Sequence, residues 1–264
     1  MTTSNPQPHG SVRIAGIVLK WIRGDKQANY DRMEPMIREA AGGGAQIIVT
    51  TECFLDGYAI ADKQIPLDAY QAMGETIPEG TYFRKLADLA SQLRVHLAVG
   101  LHANDGAAQF NVAVLLDPEG QIIGTYYKQR LGHEAERNQA GRESLVFPSR
   151  FGRVGMMICK DRGSAEIVRG FADRGADFLL CLSGGQFGPE KNDPVLQARS
   201  KENSLYIVFV HPAEFLVTGP DGSICQNHLL GDPRHVGQAS LVTEDQVGGP
   251  LDQNRVFYFD LPML

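Results

Sequence analysis

The sequence predicts an α/β protein, and three observations support this fold class. Val12–Trp21 and Ala45–Thr51 are apolar, β-rich segments, and Lys26–Ala41 between them carries apolar residues at helical spacing. This β-α-β order favours parallel strands. Farther along, Phe110–Leu116 and Gln121–Lys128 flank an Asp-Pro-Glu-Gly segment, which predicts a turn and an antiparallel hairpin. Hairpins mixed with βα units indicate a mixed sheet, or two sheets packed together with helices outside.

The N-terminal half contains two predicted helices. In the first, Tyr30, Met33, Ile37 and Ala41 lie at helical spacing, and a run of three glycines then stops the helix. The second helix, Tyr82–Leu93, carries its apolar residues on one face. The other predictions in this half are an irregular stretch over residues 57–80 and a strand over residues 96–102.

The C-terminal half continues the alternation. Gln129–Glu143 is polar and is predicted to be irregular, and Ser164 is placed to cap a helix that runs to Gly175. The remaining predicted elements are strands over 145–147, 154–159, 177–182, 206–211, 236–242 and 255–259, a helix over 193–203, and a hairpin over 215–225. No break in composition suggests a linker, so we expect one domain over residues 12–264.

Composition excludes several classes of function. Hydrophobic residues make up 43% and charged residues 21% of the 264-residue chain, which predicts a packed core. The net charge of -6, without a basic cluster interleaved with aromatics, argues against a nucleic-acid partner. The longest apolar runs are strand length, far short of the roughly 20 residues of a membrane span. Residues 1–11 are polar and lack the apolar core of a signal peptide, so we expect a disordered tail.

The cysteines are predicted to be free thiols. The chain has four, Cys53, Cys159, Cys181 and Cys225, and no pair has CxxC spacing. A chain of this size without a signal peptide is expected to lie in the reducing cytoplasm, where thiols stay unpaired.

Motifs for cofactors and metals are absent. The chain has no GxSxG nucleophile turn, no GxxxxGK[ST] phosphate loop and no GxGxxG dinucleotide turn. The segment beginning at His133 starts like a zinc-binding HExxH motif but lacks the second histidine. We therefore expect neither a metal nor a cofactor.

Three strand-like runs end in residues that together make a nucleophilic site. Glu52 ends the run that starts at Ala45, Lys128 ends the second strand of the hairpin, and Cys159 ends an apolar run over residues 154–158. In α/β folds ligands lie beyond the carboxyl ends of the strands. Cysteine attacks as the thiolate, which needs a nearby base or positive charge. No histidine stands at an obvious partner position beside Cys159, so a carboxylate must serve as the base.

These segments resemble those of the nitrilase, or carbon-nitrogen hydrolase, superfamily, whose members carry a Glu-Lys-Cys triad in this chain order. Residues 51–58 resemble the segment of the general base, Glu52, residues 126–131 that of Lys128, and residues 155–161 that of the nucleophile Cys159. Glu134 matches a second glutamate of the family, although Glu136 nearby is an alternative. The helix segment over 198–203 also resembles the family, and the resemblance runs from Val12 to Asp260.

The resemblance implies a four-layer α-β-β-α sandwich, a homodimer or larger assembly, and hydrolysis of a carbon–nitrogen bond in a small amide through a cysteine thioester, without a cofactor. Glu52 is the implied base, and the ammonium of Lys128 with the backbone N–H of Lys160 is the implied oxyanion site. A nitrilase, an N-carbamoyl hydrolase and a catalytically silent scaffold are the alternatives. The glycines Gly184 and Gly185 are expected to line the substrate pocket, because glycine permits close backbone approach.

The sequence departs from the family just after the nucleophile. An aromatic or small residue usually follows the cysteine, whereas this chain has Lys160, whose side chain is either a solvated lysine or a substrate contact. Carbamoyl-cleaving members place an arginine four residues past the cysteine, where this chain has Gly163, with Arg162 beside it. The substrate is therefore expected to differ from theirs.

Overall fold

The structure is a computed structural model, and it describes residues 10–185, 187–230, 241–242 and 255–263. Its described strands form two six-stranded sheets and one two-stranded ribbon. The sheets pack face to face, with helices on their outer faces, which confirms the predicted α-β-β-α sandwich. No helix in these residues is both long and apolar enough to cross a membrane.

The first sheet is mixed, with strand order β14-β1-β3-β4-β5-β6. Strands β1, β3 and β4 are parallel, and the remaining neighbours are antiparallel. The strands are β1 (Ser11–Val18), β3 (Ile47–Val49), β4 (His96–Asn104), β5 (Gln109–Leu116), β6 (Ile122–Tyr127) and β14 (Arg255–Pro262). The predicted β-α-β unit and the predicted hairpin both lie in this sheet.

The second sheet has the order β12-β11-β10-β9-β8-β7, with β8, β9 and β10 parallel. Its strands are β7 (Val146–Ser149), β8 (Gly152–Ile158), β9 (Phe178–Leu182), β10 (Tyr206–His211), β11 (Glu214–Thr218) and β12 (Ile224–Leu229). The ribbon pairs β2 (Trp21–Ile22) with β13 (Leu241–Val242). Of the strand predicted over 236–242, the first five residues lie outside the described residues.

The described residues contain five α-helices: α1 (Lys26–Gly42), α2 (Leu67–Met73), α3 (Thr81–Leu93), α4 (Ala165–Asp173) and α5 (Pro189–Asn203). The side chain of Asp25 caps α1 by accepting from the N–H of Ala28, and Ser164 caps α4 as predicted. The expectation of an irregular stretch over 57–80 was wrong at α2. The helix over 193–203 begins four residues earlier than predicted, because Pro189 is compatible with the first helical position.

The described residues form two hydrophobic cores, and successive side chains of a strand belong to one core and the other in turn. Ile14 of β1 and Val154 of β8 belong to the core between the sheets. The next residue of β1, Ala15, belongs to a second core, where it packs with Met33 of α1 and Leu86 of α3. Successive side chains of a strand point to opposite faces of the sheet. Because both faces are buried, the sequences of these strands are continuously apolar.

Candidate active site

The structure brings the three predicted strand-end residues into one place. Glu52 lies three residues after β3, Lys128 directly follows β6, and Cys159 directly follows β8. The first two come from one sheet and the cysteine from the other. Glu52 is fully buried, and Lys128 and Cys159 are 2% and 7% exposed. The site therefore sits where the strand ends of both sheets meet.

Lys128 joins two carboxylates. Its Nζ donates to Oε1 of Glu52 at 2.6 Å and to Oε1 of Glu134 at 2.5 Å. Burial by itself lowers the pKa of this lysine, but the charges of Glu52 and Glu134 outweigh burial and hold the pKa well above its ordinary value. Lys128 is therefore a fixed positive charge held between two buried carboxylates.

The structure decides between the two glutamates that the sequence offered. Glu134 lies on a short 3₁₀ helix, Gly132–Glu136, and is fully buried against Lys128. The side chain of Glu136 is 67% exposed and pairs with Lys63 at 3.0 Å. Glu134 is the residue of this turn that reaches the Lys128 ammonium.

Two further residues hold the cluster, and the sequence reasoning did not assign them. The side-chain amide of Asn111 on β5 donates to Oε1 of Glu52 at 2.8 Å and to Oε2 of Glu134 at 3.2 Å. The hydroxyl of Tyr58 donates to Oε1 of Glu134 at 2.6 Å. A signal for Asn111 was present, because it is a lone amide in an otherwise apolar strand interior.

The Glu52 carboxylate has one satisfied and one open oxygen. Oε1 accepts from Lys128 and Asn111, whereas Oε2 is buried and accepts no hydrogen bond from the described residues. Burial raises the pKa of Glu52, Lys128 opposes this effect, and the charge of Glu134 adds to it. A carboxylate with a raised pKa and a free buried oxygen is suited to accept a proton.

Cys159 has a strained backbone. Its φ is +44°, a conformation uncommon for residues other than glycine, at the start of the 3₁₀ helix Cys159–Gly163. Buried Asp161 fixes this turn, because its carboxylate accepts from the N–H of Arg130 at 2.8 Å and from the hydroxyl of Tyr126 at 2.9 Å. The fold thus holds the thiol at a defined point past the end of β8.

Arg162 is buried, and its side chain lies against the start of the 3₁₀ helix Cys159–Gly163. Its Nη1 donates to the carbonyl of Cys159 at 2.5 Å and lies 3.6 Å from Sγ, while Nη2 donates to Oδ1 of Asn192 at 2.5 Å. Burial works to lower the pKa of this guanidinium, but the neighbouring Cys159 contributes to a net rise. The guanidinium thus places a positive charge beside the sulfur of Cys159.

The predicted glycines lie against the same atoms. A Cβ at Gly184 would stand 2.2 Å from the ring of Trp21 and 3.2 Å from Oε2 of Glu52, and a Cβ at Gly185 would stand 3.2 Å from Sγ of Cys159. The carbonyl of Gly185 lies 2.7 Å from Nε2 of buried His211. These positions need glycine because side chains there would fill the site.

A cavity of about 530 Å³ opens onto these groups, a size suited to a small-molecule ligand. It is lined by Tyr58, Ala61, Lys63, Lys128, Leu131, His133, Glu134, Cys159, Lys160, Arg162, Gly184, Gly185 and Phe187. All the predicted site residues except Glu52 line it. Within the described ranges, no cluster of three or more His, Cys, Asp or Glu side chains could hold a metal ion.

The other cysteines lie elsewhere in the fold. Cys53 and Cys181 are buried, and burial raises the pKa of both thiols, whereas Cys225 is exposed. None of these three lines the cavity next to Lys128. Cys159 is the cysteine that does.

A sandwich of two mixed sheets with a cysteine, a lysine and glutamates at the strand ends defines a class of carbon–nitrogen bond hydrolases. The sequence model described as Carbon-nitrogen hydrolase matches residues 12–237, and the chain belongs to this family. The predicted membership of the nitrilase superfamily is thereby confirmed.

Curated relatives carry related names. A protein named nitrilase from Pyrococcus abyssi is 34% identical over 155 residues, which are 57% of this chain and 56% of that protein. The match therefore spans just over half the length of this relative. The omega-amidase NIT2 of Homo sapiens is 28% identical over 216 residues, 77% of this chain and 75% of that enzyme.

Solved structures share the fold. Nit3 of Saccharomyces cerevisiae, described as a member of branch 10 of the nitrilase superfamily, has a TM-score of 0.77 at 19% identity, covering 98% of this chain and 93% of that one. A mutant amidase of Nesterenkonia sp. AN1, with the acetamide moiety of fluoroacetamide added covalently at the active-site cysteine, has a TM-score of 0.75 at 21% identity, covering 98% and 94%.

Proposed function

We propose that this protein is an amidase that hydrolyses a small amide through a thioester on Cys159. The observation that carries the proposal is the pair of buried ion pairs that Lys128 makes with Glu52 and Glu134, because Lys128 and Glu134 line the same cavity as Cys159. The names of the relatives, omega-amidase and amidase, support the same class of reaction.

Acylation begins with proton transfer. The open Oε2 of Glu52 takes the proton from Sγ of Cys159, and the thiolate forms a bond to the amide carbonyl carbon. The Lys128 ammonium and the backbone N–H of Lys160 stabilise the resulting oxyanion. Glu52 then gives its proton to the amide nitrogen, the carbon–nitrogen bond breaks, and ammonia or an amine leaves a thioester behind.

Deacylation reverses the roles with water as the nucleophile. Glu52 takes a proton from water, the oxygen attacks the thioester carbon, and the same groups stabilise the second oxyanion. Collapse breaks the carbon–sulfur bond, Glu52 returns its proton to Sγ of Cys159, and the acid product leaves. Glu134 positions the Lys128 ammonium throughout, and Tyr58 and Asn111 position the carboxylates.

A nitrilase is the second candidate, favoured by the relative from Pyrococcus abyssi. The same thiolate would attack the nitrile carbon. The products separate the two activities: an amidase releases ammonia and acid from amides and leaves nitriles of matched size intact.

The test is ammonia release from a panel of short amides, nitriles and N-carbamoyl compounds by the wild-type protein and by Cys159→Ala. The proposal expects turnover of amides by the wild type and none by the variant. Cys181→Ala, which removes a buried thiol outside the cavity, is the matched control and keeps activity. If the wild type turns over no substrate in the panel, the result would instead support the hypothesis of a catalytically silent scaffold.

We further propose that the protein is cytoplasmic and works as a homodimer or a larger assembly. The four free cysteines support the reducing compartment, and the resemblance to the family supports the assembly. Light scattering coupled to size-exclusion chromatography gives the mass in solution, and a monomer at micromolar concentration would contradict the assembly.

A further inference from the structure

Lys160 is a cation of the cavity whose side chain has no role in the proposed chemistry. It directly follows the nucleophile, its side chain lines the cavity, and it is solvent-exposed. Its Nζ lies close to Gly132, so close that a Cβ there would stand 2.6 Å away. Gly132 begins the turn that carries Glu134 and has a φ of +62°, so the glycine leaves room for the ammonium beside the cavity wall.

The other cations of the cavity already have partners. Lys128 is held by two carboxylates. Lys63 pairs with Glu136 at 3.0 Å and donates to the carbonyl of His133 at 3.1 Å. Both ammonium groups are therefore held by groups of the protein, and the proposed mechanism assigns Lys128 to the oxyanion.

Of the two other basic residues of the cavity, Arg162 is hydrogen-bonded to the protein and His133 is uncharged. The guanidinium of Arg162 donates to the carbonyl of Cys159 and to Asn192, so both of its terminal nitrogens are used by the protein. Burial lowers the pKa of His133, which keeps the imidazole neutral near pH 7. In the described part of the chain, Lys160 has no hydrogen-bond or ion-pair partner, so it is the cavity cation that remains available.

We propose that the Lys160 ammonium binds a carboxylate of the substrate, and hence that the preferred substrate is an amide that carries a second, anionic end. The inference rests on the proposed amidase function and names its substrate class. Tyr58, Ala61, Leu131 and Phe187 supply apolar surface in the same cavity. A short carbon chain along that surface would place the amide carbonyl at Sγ and the carboxylate at Lys160.

The departure from the family pattern at Gly163 fits this assignment. No side chain extends from position 163, and Arg162 is turned into the protein. Position 163 therefore offers no group to an anion, and the Arg162 guanidinium already contacts the carbonyl and Sγ of Cys159 and Oδ1 of Asn192. The lysine directly after the nucleophile supplies the charge in their place.

The test compares two substrates of matched length: glutaramic acid, which carries an amide and a carboxylate, and hexanamide, which carries the amide alone. The measured quantity is the ratio of kcat/KM for the anionic to the neutral amide. We expect Lys160→Met to lower this ratio at least about 10-fold, as for loss of one hydrogen bond to a charged group. The loss should fall on KM for glutaramic acid, because the carboxylate is bound equally in the ground and transition states.

Two further variants make the result specific. Lys160→Arg keeps the charge and should retain most of the preference, whereas Lys201→Met, which removes an exposed lysine of α5, should leave the ratio unchanged. The wild-type ratio should also fall as salt concentration rises, since the ion pair at the cavity mouth is screened.

The outcomes separate this inference from the function on which it rests. If the wild type hydrolyses neither amide nor any other compound of the panel, the proposed function fails. If it hydrolyses amides and Lys160→Met leaves the ratio unchanged, Lys160 is a solvated lysine and only the present inference is overturned. An equal loss for both amides would likewise overturn it, because the lysine would then act without regard to substrate charge.

Discussion

Nζ of Lys128 lies 2.6 Å from Oε1 of Glu52, and this contact leaves Oε2 of Glu52 as the oxygen without a hydrogen bond from the described residues. One carboxylate thus has two separate tasks. In the proposed mechanism, Oε1 holds the ammonium that stabilises the oxyanion, and Oε2 takes and returns protons. Lys128 and Asn111 both donate to Oε1, and these two hydrogen bonds fix the orientation of the carboxylate.

The first prediction concerns the acid limb of the pH profile. Burial and the negative charge of Glu134 raise the pKa of Glu52, so the base form appears only as the pH rises through this raised value. Glu134→Gln removes the charge that contributes to the rise and should lower the pKa of Glu52. The acid limb of kcat/KM should therefore move to lower pH while the maximal rate falls.

The profile is measured with a neutral amide across pH 4–9. Glu136→Gln, which changes the exposed neighbour on the same turn, is the control and should leave the limb in place. A limb that moves to higher pH in Glu134→Gln would contradict the role given to the Glu134 charge.

The second prediction concerns Tyr58. Its hydroxyl donates to Glu134 at 2.6 Å, and Phe at this position leaves a buried carboxylate one donor short. Such a loss costs about 1–3 kcal/mol, so we expect kcat to fall about 5- to 150-fold in Tyr58→Phe. Tyr206→Phe, on β10 and away from the cavity, should match the wild type. Equal rates in Tyr58→Phe and the wild type would show that Glu134 does not need this donor.

The third prediction uses the glycine beside the base. A Cβ at Gly184 would overlap the ring of Trp21 and press on Oε2 of Glu52. Gly184→Ala should therefore lower kcat/KM by about 10-fold or more, since displacement of catalytic groups by about 1 Å is costly. Gly42→Ala, where a Cβ meets nothing within 4 Å, is the matched control. An unchanged kcat/KM in Gly184→Ala, with the protein folded, would contradict the close packing of this position.

The fourth prediction concerns stability rather than activity. Burial raises the pKa of Asp56 to about 7, and the carboxylate lies 3.8 Å from Nδ1 of His102. The native protein therefore keeps this proton to higher pH than the unfolded chain does. The stability from the protonated carboxyl is fully present below about pH 4 and is lost as the pH rises toward 7.

Asp56→Asn removes this loss, because the amide stays neutral and its oxygen still accepts from the N–H of Ala59. The free energy of unfolding of the variant, relative to the wild type, should rise between pH 4 and pH 8 by an amount on the order of 4 kcal/mol. Urea unfolding at several pH values measures it, with exposed Asp88→Asn as the control. A difference that stays constant with pH would contradict the raised pKa.

The sequence led to much of the fold because the physical signals were local. Apolar runs of strand length and helical spacing placed most elements within a few residues. Helix α2 was missed because its single buried side chain is Tyr70, and Leu67 at its first position is 51% exposed. A helix with so small an apolar face has no clear period, and its position depends on tertiary packing.

The candidate site was likewise predictable from the sequence only in part. Glu52, Lys128 and Cys159 each end an apolar run, so the rule for strand ends and the family order pointed to them together. The sequence favoured Glu134 over Glu136 only through its match to the family, since which of the two side chains faces inward depends on how the 3₁₀ helix meets Lys128. Asn111 and Tyr58 gain their meaning only from the carboxylates brought beside them.

The most direct test of the central claim is intact-protein and peptide mass spectrometry after brief reaction of the Glu52→Gln variant with fluoroacetamide, a small amide that the complete site is expected to hydrolyse. The account predicts one adduct per chain, located on Cys159, with the same labelling when Cys181→Ala is added to this variant and none when Cys159→Ala is added. Equal labelling with and without Cys159→Ala, or an adduct located on another cysteine, would contradict the assignment of Cys159 as the nucleophile.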